Sequence, residues 1–556
     1  MEIKIENQEV TISASGIEFL RLKTEVYKRM GELSYTINNQ IKFPVSSLSL
    51  IEDLLNKEEK SIPEVSSYLN VFNLHATGRI RALSLVEQGL SDGVNNTWLG
   101  LLDPAQATAV SAMVTPNILG LCLFDEQGSG KTVMSIAAFD ILKENDVVDA
   151  LIVVCPKSMI NEWPKDFERF LPRKYHIVQA EGNKKQKYGA ALSHFEVLVT
   201  NYEGVDIMLT SLVASSTRTR FLVIVDESYY LKNGNSRRSD NISLLRSHCS
   251  RCFVLCGTPA PNSAYDLINQ FDIADLGFTF RGFIKSNDPV SDWDKISQLV
   301  DDRGLFIRRL KGEILKSVPE KNFHVIQVPL TGRQAIMYEK AKVDLVLELK
   351  SLDNESFKKQ LATYFQRRAV LLQVCCCPSN IDPTFSEIPV KYIPCDNLVE
   401  RLISEGRKII IWSFYTKSID ELMERYSKFN PVRVDGSVPT LARRNAVRSF
   451  QEDPQTLIFI GNPAAAGSGI TLHSSYDAIY VSYSNQAAHY LQSLDRIHRR
   501  GQVSNQVNYY LLICGKTIEE TEIARLRGKE IRQHSLLGDH IPWPTSLDDA
   551  LQELGV

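Results

Sequence analysis

The amino-acid sequence predicts an α/β protein of two parallel-sheet units, with helical insertions between them and a small accessory domain at the N-terminus. Three observations carry that prediction. Short apolar runs rich in Val, Ile and Leu recur along the chain, each bounded by polar, Gly or Pro residues, as in strands buried on both faces of a parallel sheet. Helix-compatible segments separate them, which a βα alternation requires. The runs also form two groups, one before about residue 260 and one after about residue 405.

The first group comprises residues 118–124, 151–155, 197–200, 221–225 and 253–256. The second comprises 409–412 and 457–460, with 478–483 and 507–513 as further candidates. Between the groups, residues 334–378 are rich in Leu, Lys, Glu and Ala and end at Pro378, which suits inserted helices. Residues 1–95 lack the alternation and are interrupted by Pro44 and Pro63. The expected organisation is therefore an accessory domain at 1–95, a first lobe at 96–322, a second lobe at 323–530 carrying the 334–378 insertion, and a tail at 531–556.

Composition narrows the class. The 556 residues include 63 Lys and Arg against 66 Asp and Glu, so the net charge is -3 and a blanket polycation is excluded; any nucleic-acid surface must be a local concentration of charge. With 44% hydrophobic and 23% charged residues the chain has the balance of a globular protein and not of a disordered one. There is no apolar run of membrane-spanning length and no N-terminal basic-then-apolar leader, so a cytoplasmic protein, or a nuclear one in a eukaryote, is expected, with no membrane partner. Ten cysteines without regular spacing point to buried thiols, and the adjacent Cys375, Cys376 and Cys377 to packing, because neighbouring helical side chains diverge by about 100°.

Chemistry concentrates first in Asp125-Glu126-Gln127-Gly128-Ser129-Gly130-Lys131-Thr132, which follows an apolar run and precedes a helix-like one. Glycines let such a loop curl its N–H groups and the following helix N-terminus around phosphate oxygens, with Lys131 reaching the terminal phosphates and Thr132 ligating magnesium. Asp125 stands where the strict phosphate-loop pattern has Gly. The run 221–225 leads directly into Asp226 and Glu227, two carboxylates at the carboxyl end of a buried strand, where open α/β sheets bind ligands. Beside a phosphate loop, Asp226 would hold magnesium and Glu227 would accept a proton from the attacking water. Arg496 and Arg499 are three residues apart, so on a helix both would face one side and could serve as arginine fingers toward a γ-phosphate.

With those motifs in order, residues 96–530 resemble the Swi/Snf-type ATPases of helicase superfamily two, with two RecA-like lobes. The resemblance extends to Leu102-Asp103-Pro104-Ala105-Gln106, Val153-Val154-Cys155-Pro156 with Trp163, Thr200-Asn201-Tyr202-Glu203, and Leu255-Cys256-Gly257-Thr258-Pro259. It continues through Phe306-Ile307-Arg308-Arg309-Leu310-Lys311, Asp435-Gly436-Ser437 with Arg443, Gly467-Ser468-Gly469-Ile470-Thr471, and the block Gln492 to Gln502. It implies ATP and magnesium as cofactors, Gln106 reading the adenine edge, and Gly469 and Gln492 beside the nucleotide. It also implies tracking on double-stranded DNA, with Lys157, Ser158, Asn201, Arg443 and Arg444 as candidate backbone contacts. Tyr229 departs from the family's usual His, and Asn462-Pro463-Ala464-Ala465-Ala466 from its usual segment, which points to a distant prokaryotic or viral branch.

The function expected from this resemblance is a DNA-stimulated translocase that displaces or remodels bound proteins, in repair, recombination or defence, with residues 1–95 choosing a protein partner. A strand-separating DNA or RNA helicase and an ATP-switched interaction module are the alternatives.

Overall fold

The computed structural model describes the chain except residues 7–8, 31–33, 172, 235, 261–262, 287, 315–317, 466–469, 471, 484–486, 500–501 and 532–545. It divides into two compact units, Met1–Ile314 and Leu315–Val556.

The first unit begins with β1 (Glu2–Glu6), β2 (Glu9–Ser13), β3 (Tyr35–Ile37) and β4 (Gln40–Pro44), an antiparallel sheet in the order β1-β2-β4-β3. Period-two alternation puts Val10, Ile12, Ile41 and Phe43 on its inner face, against Leu22, Val26 and Met30 of the helix Gly16–Met30. The antiparallel sheet occupies the accessory segment as far as Pro44. The 25-residue helix Pro63–Glu87 packs on the helix Pro104–Val114, and its Ala82 belongs to the same core as the central strands.

The main sheet of this unit contains β5 (Gly120–Leu123), β6 (Ala150–Cys155), β7 (Ile177–Gln179), β8 (Val197–Asn201), β9 (Phe221–Asp226), β10 (Arg251–Leu255) and β11 (Phe306–Ile307). All pairs are parallel, in the order β11-β5-β10-β9-β6-β8-β7. The second unit holds β12 (Glu320–Val328), β13 (Ile409–Trp412), β14 (Val432–Val434), β15 (Ile458–Gly461), β16 (Asp477–Tyr480) and β17 (Gln506–Cys514), again all parallel, ordered β12-β17-β16-β13-β15-β14. The α/β class with two parallel sheets is thus the one anticipated. The apolar runs became strands, whereas β7, β11, β12 and β14 lie at or near sheet edges and carry too mixed a pattern to stand out. β12 crosses the division expected at 322/323 and belongs wholly to the second sheet.

The inserted helices Gly332–Lys350, Asn354–Lys359 and Leu361–Cys376 share a core with the last helix, Leu547–Glu553, so the end of the chain is docked and not a free tail. Arg368, almost fully buried, pairs with Glu522 and Glu553 at 2.7 Å each. All ten cysteines are buried and free, including Cys249 and Cys252, whose CxxC spacing straddles the start of β10. Cys375 faces one core, Cys376 and Cys377 another. Cys375 and Cys514 come near Glu519, but that carboxylate is taken by Lys391 Nζ at 2.6 Å and the Cys514 N–H at 2.8 Å. Among the described residues no helix is long and apolar enough to cross a membrane.

His75 ties the long helix to the sheet: its Nδ1 accepts from the Leu119 N–H at 3.0 Å, and its ring meets Phe278 edge-on. Burial, reinforced by the positive charge of Arg246 and Arg79, pushes the imidazole down to about 3. The unfolded chain therefore takes up this proton first as pH falls, and stability is lost below the ordinary histidine pKa of about 6.5. Between pH 6 and pH 5, urea unfolding of the full chain should show a loss about 1 kcal/mol greater than in His75→Gln, whose amide oxygen can still accept from Leu119.

Candidate functional site

β10 lies between β5 and β9, and its Leu255 is level with both Leu123 and Asp226. The carboxyl ends of the three strands therefore open onto one edge, with the loop after β5 and the carboxylates after β9 separated by two strand spacings, roughly 10 Å.

The loop turns at Gly128 and Gly130, with φ of +83° and +90°, and runs into the helix Lys131–Glu144. Only glycine takes such angles without steric cost. At Gly130 space is also exhausted, since a Cβ there would lie 2.4 Å from Gln106 Nε2. Lys131 Nζ donates to the Asp125 and Glu126 carbonyls at 2.7 and 3.2 Å, and Thr132 follows it in the helix. Gln106 is buried and used at both ends: its Nε2 donates to the Ser129 carbonyl at 2.8 Å and its Oε1 accepts from the Asp103 N–H at 3.0 Å. Asp125, in the place of a phosphate-loop glycine, is a buried anchor paired with Arg309.

Asp226 and Glu227 are both buried. Burial pushes the Asp226 carboxyl up from the usual range, opposed by the Trp163 indole and the Lys131 ammonium. Trp163, fully buried, donates from Nε1 to Asp226 Oδ2 at 3.1 Å, and the Glu227 N–H donates to Oδ1 at 3.0 Å. Glu227 has a left-handed backbone, φ +53° and ψ +53°, a strain on the order of 1–3 kcal/mol for a non-glycine residue. The Tyr202 hydroxyl holds that turn by donating to the Asp226 carbonyl at 2.6 Å and the Glu227 carbonyl at 3.3 Å. Gln127 Nε2 reaches across to Glu227 Oε1 at 2.7 Å, joining loop and carboxylates directly. The crossing needs Gly257 beneath it, where a Cβ would sit 2.4 Å from Gln127 Cγ.

Gln270, fully buried, accepts from Ser228 Oγ at 2.5 Å and donates to the Pro259 carbonyl at 2.7 Å, so the segments after β9 and β10 are tied together. Trp163, Tyr202, Gln270 and Arg309 are the positioning groups whose roles no local pattern revealed. Trp163, Tyr202 and Arg309 occurred within recognisable motifs, but which group each would meet depended on the sheet. Tyr229 stacks on Tyr230 with ring centroids 4.4 Å apart.

In the second unit, Arg496 and Arg499 do not share a helix face as expected. The helix Ala487–Leu494 ends before them, because the Arg496 carbonyl accepts from the Leu472 N–H at 3.0 Å and the chain turns. Arg496 Nη1 donates to the Ile470 carbonyl at 3.0 Å, and Arg499 Nε to the Asp495 carbonyl at 2.7 Å. Gln492 is buried, and its Nε2 meets no partner among the described residues. Gly469 lies outside the described residues. Arg443 donates to the Val438 and Ala465 carbonyls at 2.7 and 3.2 Å, which makes it an organiser of its own loop, while Arg444 is exposed.

Gly130→Ala should lower stability by about 1–3 kcal/mol through strain and collision with Gln106. Gly189→Ala, in the helix Lys184–Leu192 where a Cβ meets nothing within 4 Å, should be neutral or stabilising by about 0.5–1 kcal/mol. Urea unfolding followed by circular dichroism separates the two.

The SNF2-related domain matches residues 54–380, and the helicase conserved C-terminal domain matches residues 393–501. A Drosophila melanogaster protein, the SWI/SNF-related matrix-associated actin-dependent regulator of chromatin subfamily A containing DEAD/H box 1 homolog, is 24% identical over 90% of this chain and 66% of its own length. An uncharacterized ATP-dependent helicase of Mycoplasma genitalium is 25% identical over 83% of this chain and 44% of its own length. Human SWI/SNF-related matrix-associated actin-dependent regulator of chromatin subfamily A member 1 is 27% identical over 72% and 40%. The chain thus spans about two thirds or less of these relatives. A solved Sulfolobus solfataricus SWI2/SNF2 ATPase core in complex with dsDNA aligns at 22% identity over 82% of this chain and 96% of that one, with a TM-score of 0.35. With a phosphate loop and paired carboxylates on one sheet edge, and with the family match covering more than half its residues, the chain belongs to the SNF2-related family of ATPases, carrying a helicase C-terminal domain in its second unit.

Proposed function

We propose that this protein hydrolyses ATP with magnesium and couples hydrolysis to movement along double-stranded DNA, remodelling or displacing proteins bound there. The observation that carries the reading is the junction at the sheet edge: a glycine-turned loop with Lys131, joined through Gln127 to Glu227 at 2.7 Å beside Asp226. Family membership, and relatives named as ATP-dependent helicases and chromatin regulators, support its extension to DNA.

The residues fit a polyphosphate. Gln127 Oε1, Ser129 Oγ and Thr258 Oγ1 are buried around the loop without a partner among the described residues, and such atoms are costly unless a ligand meets them. Lys131 would exchange its carbonyl partners for phosphate oxygens. Thr132 and Asp226 would hold magnesium, which would supply positive charge to offset that of the phosphates. Glu227 takes a proton from the attacking water, its carboxylate oriented by Gln127. Arg496 and Arg499 are assigned the neutralisation of transition-state charge.

Lys157, Ser158, Asn201 and Arg444 remain the candidates for contacts to the DNA backbone. Asn201 itself is buried, its Oδ1 held by Lys187 Nζ at 2.7 Å, whereas Lys157 and Ser158 are exposed. Choice of a protein partner is assigned to the N-terminal segment, since a generic motor takes its specificity from what is grafted on it.

The deciding experiment measures ATP hydrolysis with no nucleic acid, duplex DNA, single-stranded DNA and RNA at two salt concentrations, with Lys131→Ala as the blank. Duplex DNA should stimulate, high salt should remove the stimulation as counterion release demands, and Glu227→Gln should lose about 10²–10⁴-fold in rate. Stimulation by single strands or RNA alone would replace the translocase by a helicase. No stimulation by any of them would favour an ATP-switched module acting on another protein.

A further inference from the structure

Arg309 follows β11, a two-residue strand paired with β5, and its backbone carbonyl accepts from the Glu126 N–H at 3.0 Å. Its guanidinium grips Asp125 at both oxygens, Nε to Oδ1 at 3.1 Å and Nη2 to Oδ2 at 2.5 Å. Nη1 donates to the Ala105 carbonyl at 2.5 Å and approaches Thr108 Oγ1 at 3.4 Å, both on the helix Pro104–Val114. That helix carries Gln106, which holds the far side of the loop through the Ser129 carbonyl at 2.8 Å. Starting at Arg309, the bonds run to Asp125, along the loop to Ser129, across to Gln106, and back through Ala105. The ring is closed around the loop's backbone. Lys311 adds a strut, its N–H donating to Glu126 Oε2 at 2.9 Å.

We infer that Arg309 is a positioning residue for the phosphate loop, acting through Asp125 to hold the loop in the shape that receives nucleotide. The inference rests on the reading of this loop as a nucleotide site. The Asp125 side chain has no exposure and that of Arg309 is 16% exposed, so the pair is shielded from solvent, where a two-point fork gives direction as well as attraction. The residue that stands in a glycine's place thereby does a different job. A glycine there would remove the fork and leave the first half of the loop to its backbone bonds and the Glu126 strut, whereas Asp125 fastens it directly to the Arg309 guanidinium, distant in sequence. Lysine cannot reproduce the planar fork, so charge alone is not enough.

The test is equilibrium binding of a fluorescent N-methylanthraniloyl ADP, with magnesium, to the full chain. Arg309→Lys and Asp125→Asn should each raise Kd about tenfold, and the double variant should be no weaker than either single, because both break one link; independent residues would multiply to about a hundredfold. Melting midpoints should stay within a few degrees of the unaltered chain. Wild-type Kd in both single variants, or multiplication in the double, would overturn the inference while leaving the nucleotide reading intact. Loss of a cooperative melt in both Arg309→Lys and the double variant would also overturn it, by assigning the pair to stability alone. If the unaltered chain binds no nucleotide, the reading of the loop fails and the inference fails with it.

Discussion

The level endings of β5, β10 and β9 are the constraint on which the site depends. Parallel pairing sets Leu255 opposite Leu123 on one side and Asp226 on the other, so a phosphate loop and a carboxylate pair more than ninety residues apart in sequence share one edge. Hydrogen bonding along the strands sets that alignment, and buried Val, Ile and Leu side chains on both faces resist its slipping. Everything polar at the edge then has to fit between neighbouring strand ends. That is why Gly257 is bare beneath Gln127, and why Glu227 sits in a strained left-handed turn held from outside by Tyr202.

Charge at this edge is managed by placement. Asp226 is buried enough that its charge is disfavoured, yet the Trp163 indole, the Glu227 N–H and the Lys131 ammonium all act in the other direction. Asp125 has the contrary arrangement, a carboxylate committed to a guanidinium fork. Two buried carboxylates on the same edge are thus set apart by environment, Asp125 facing a guanidinium fork and Asp226 an indole and a backbone N–H, although both are aspartates at or just after the end of a parallel strand.

The second unit repeats the architecture with different furnishings. Its sheet has the same parallel pairing, but the insertion packs against the end of the chain, where Arg368 meets Glu522 and Glu553. Lys391 and Glu519 form a second fully buried pair. Burial is the largest influence and lowers the Lys391 pKa, but the Glu519 charge together with Cys514, Cys376 and Cys375 holds the ammonium above its ordinary range. Buried pairs of this kind add little net stability but punish wrong pairings, because each partner left alone is a buried charge.

The sequence by itself determined the strands at the centre of both sheets, from 118–124 to 507–513, because a strand buried on both faces must be apolar throughout and such a run is visible without its neighbours. It also determined the loop from Asp125 to Thr132 and the pair Asp226–Glu227, since each is contiguous and placed by the strand before it. The short strands β7, β11 and β14 were invisible because edge positions do not demand continuous apolar residues. Tertiary structure alone decided that Arg496 and Arg499 leave the helix, because the Arg496 carbonyl finds Leu472 twenty-four residues earlier in the chain. It alone decided that Trp163 serves Asp226, that Gln270 joins the segments after β9 and β10, and that Arg309 grips Asp125. Those partners are tens to nearly two hundred residues apart, and what selects them is the direction of a side chain at a strand or helix end, a property of the assembled sheet that no local pattern of residues contains.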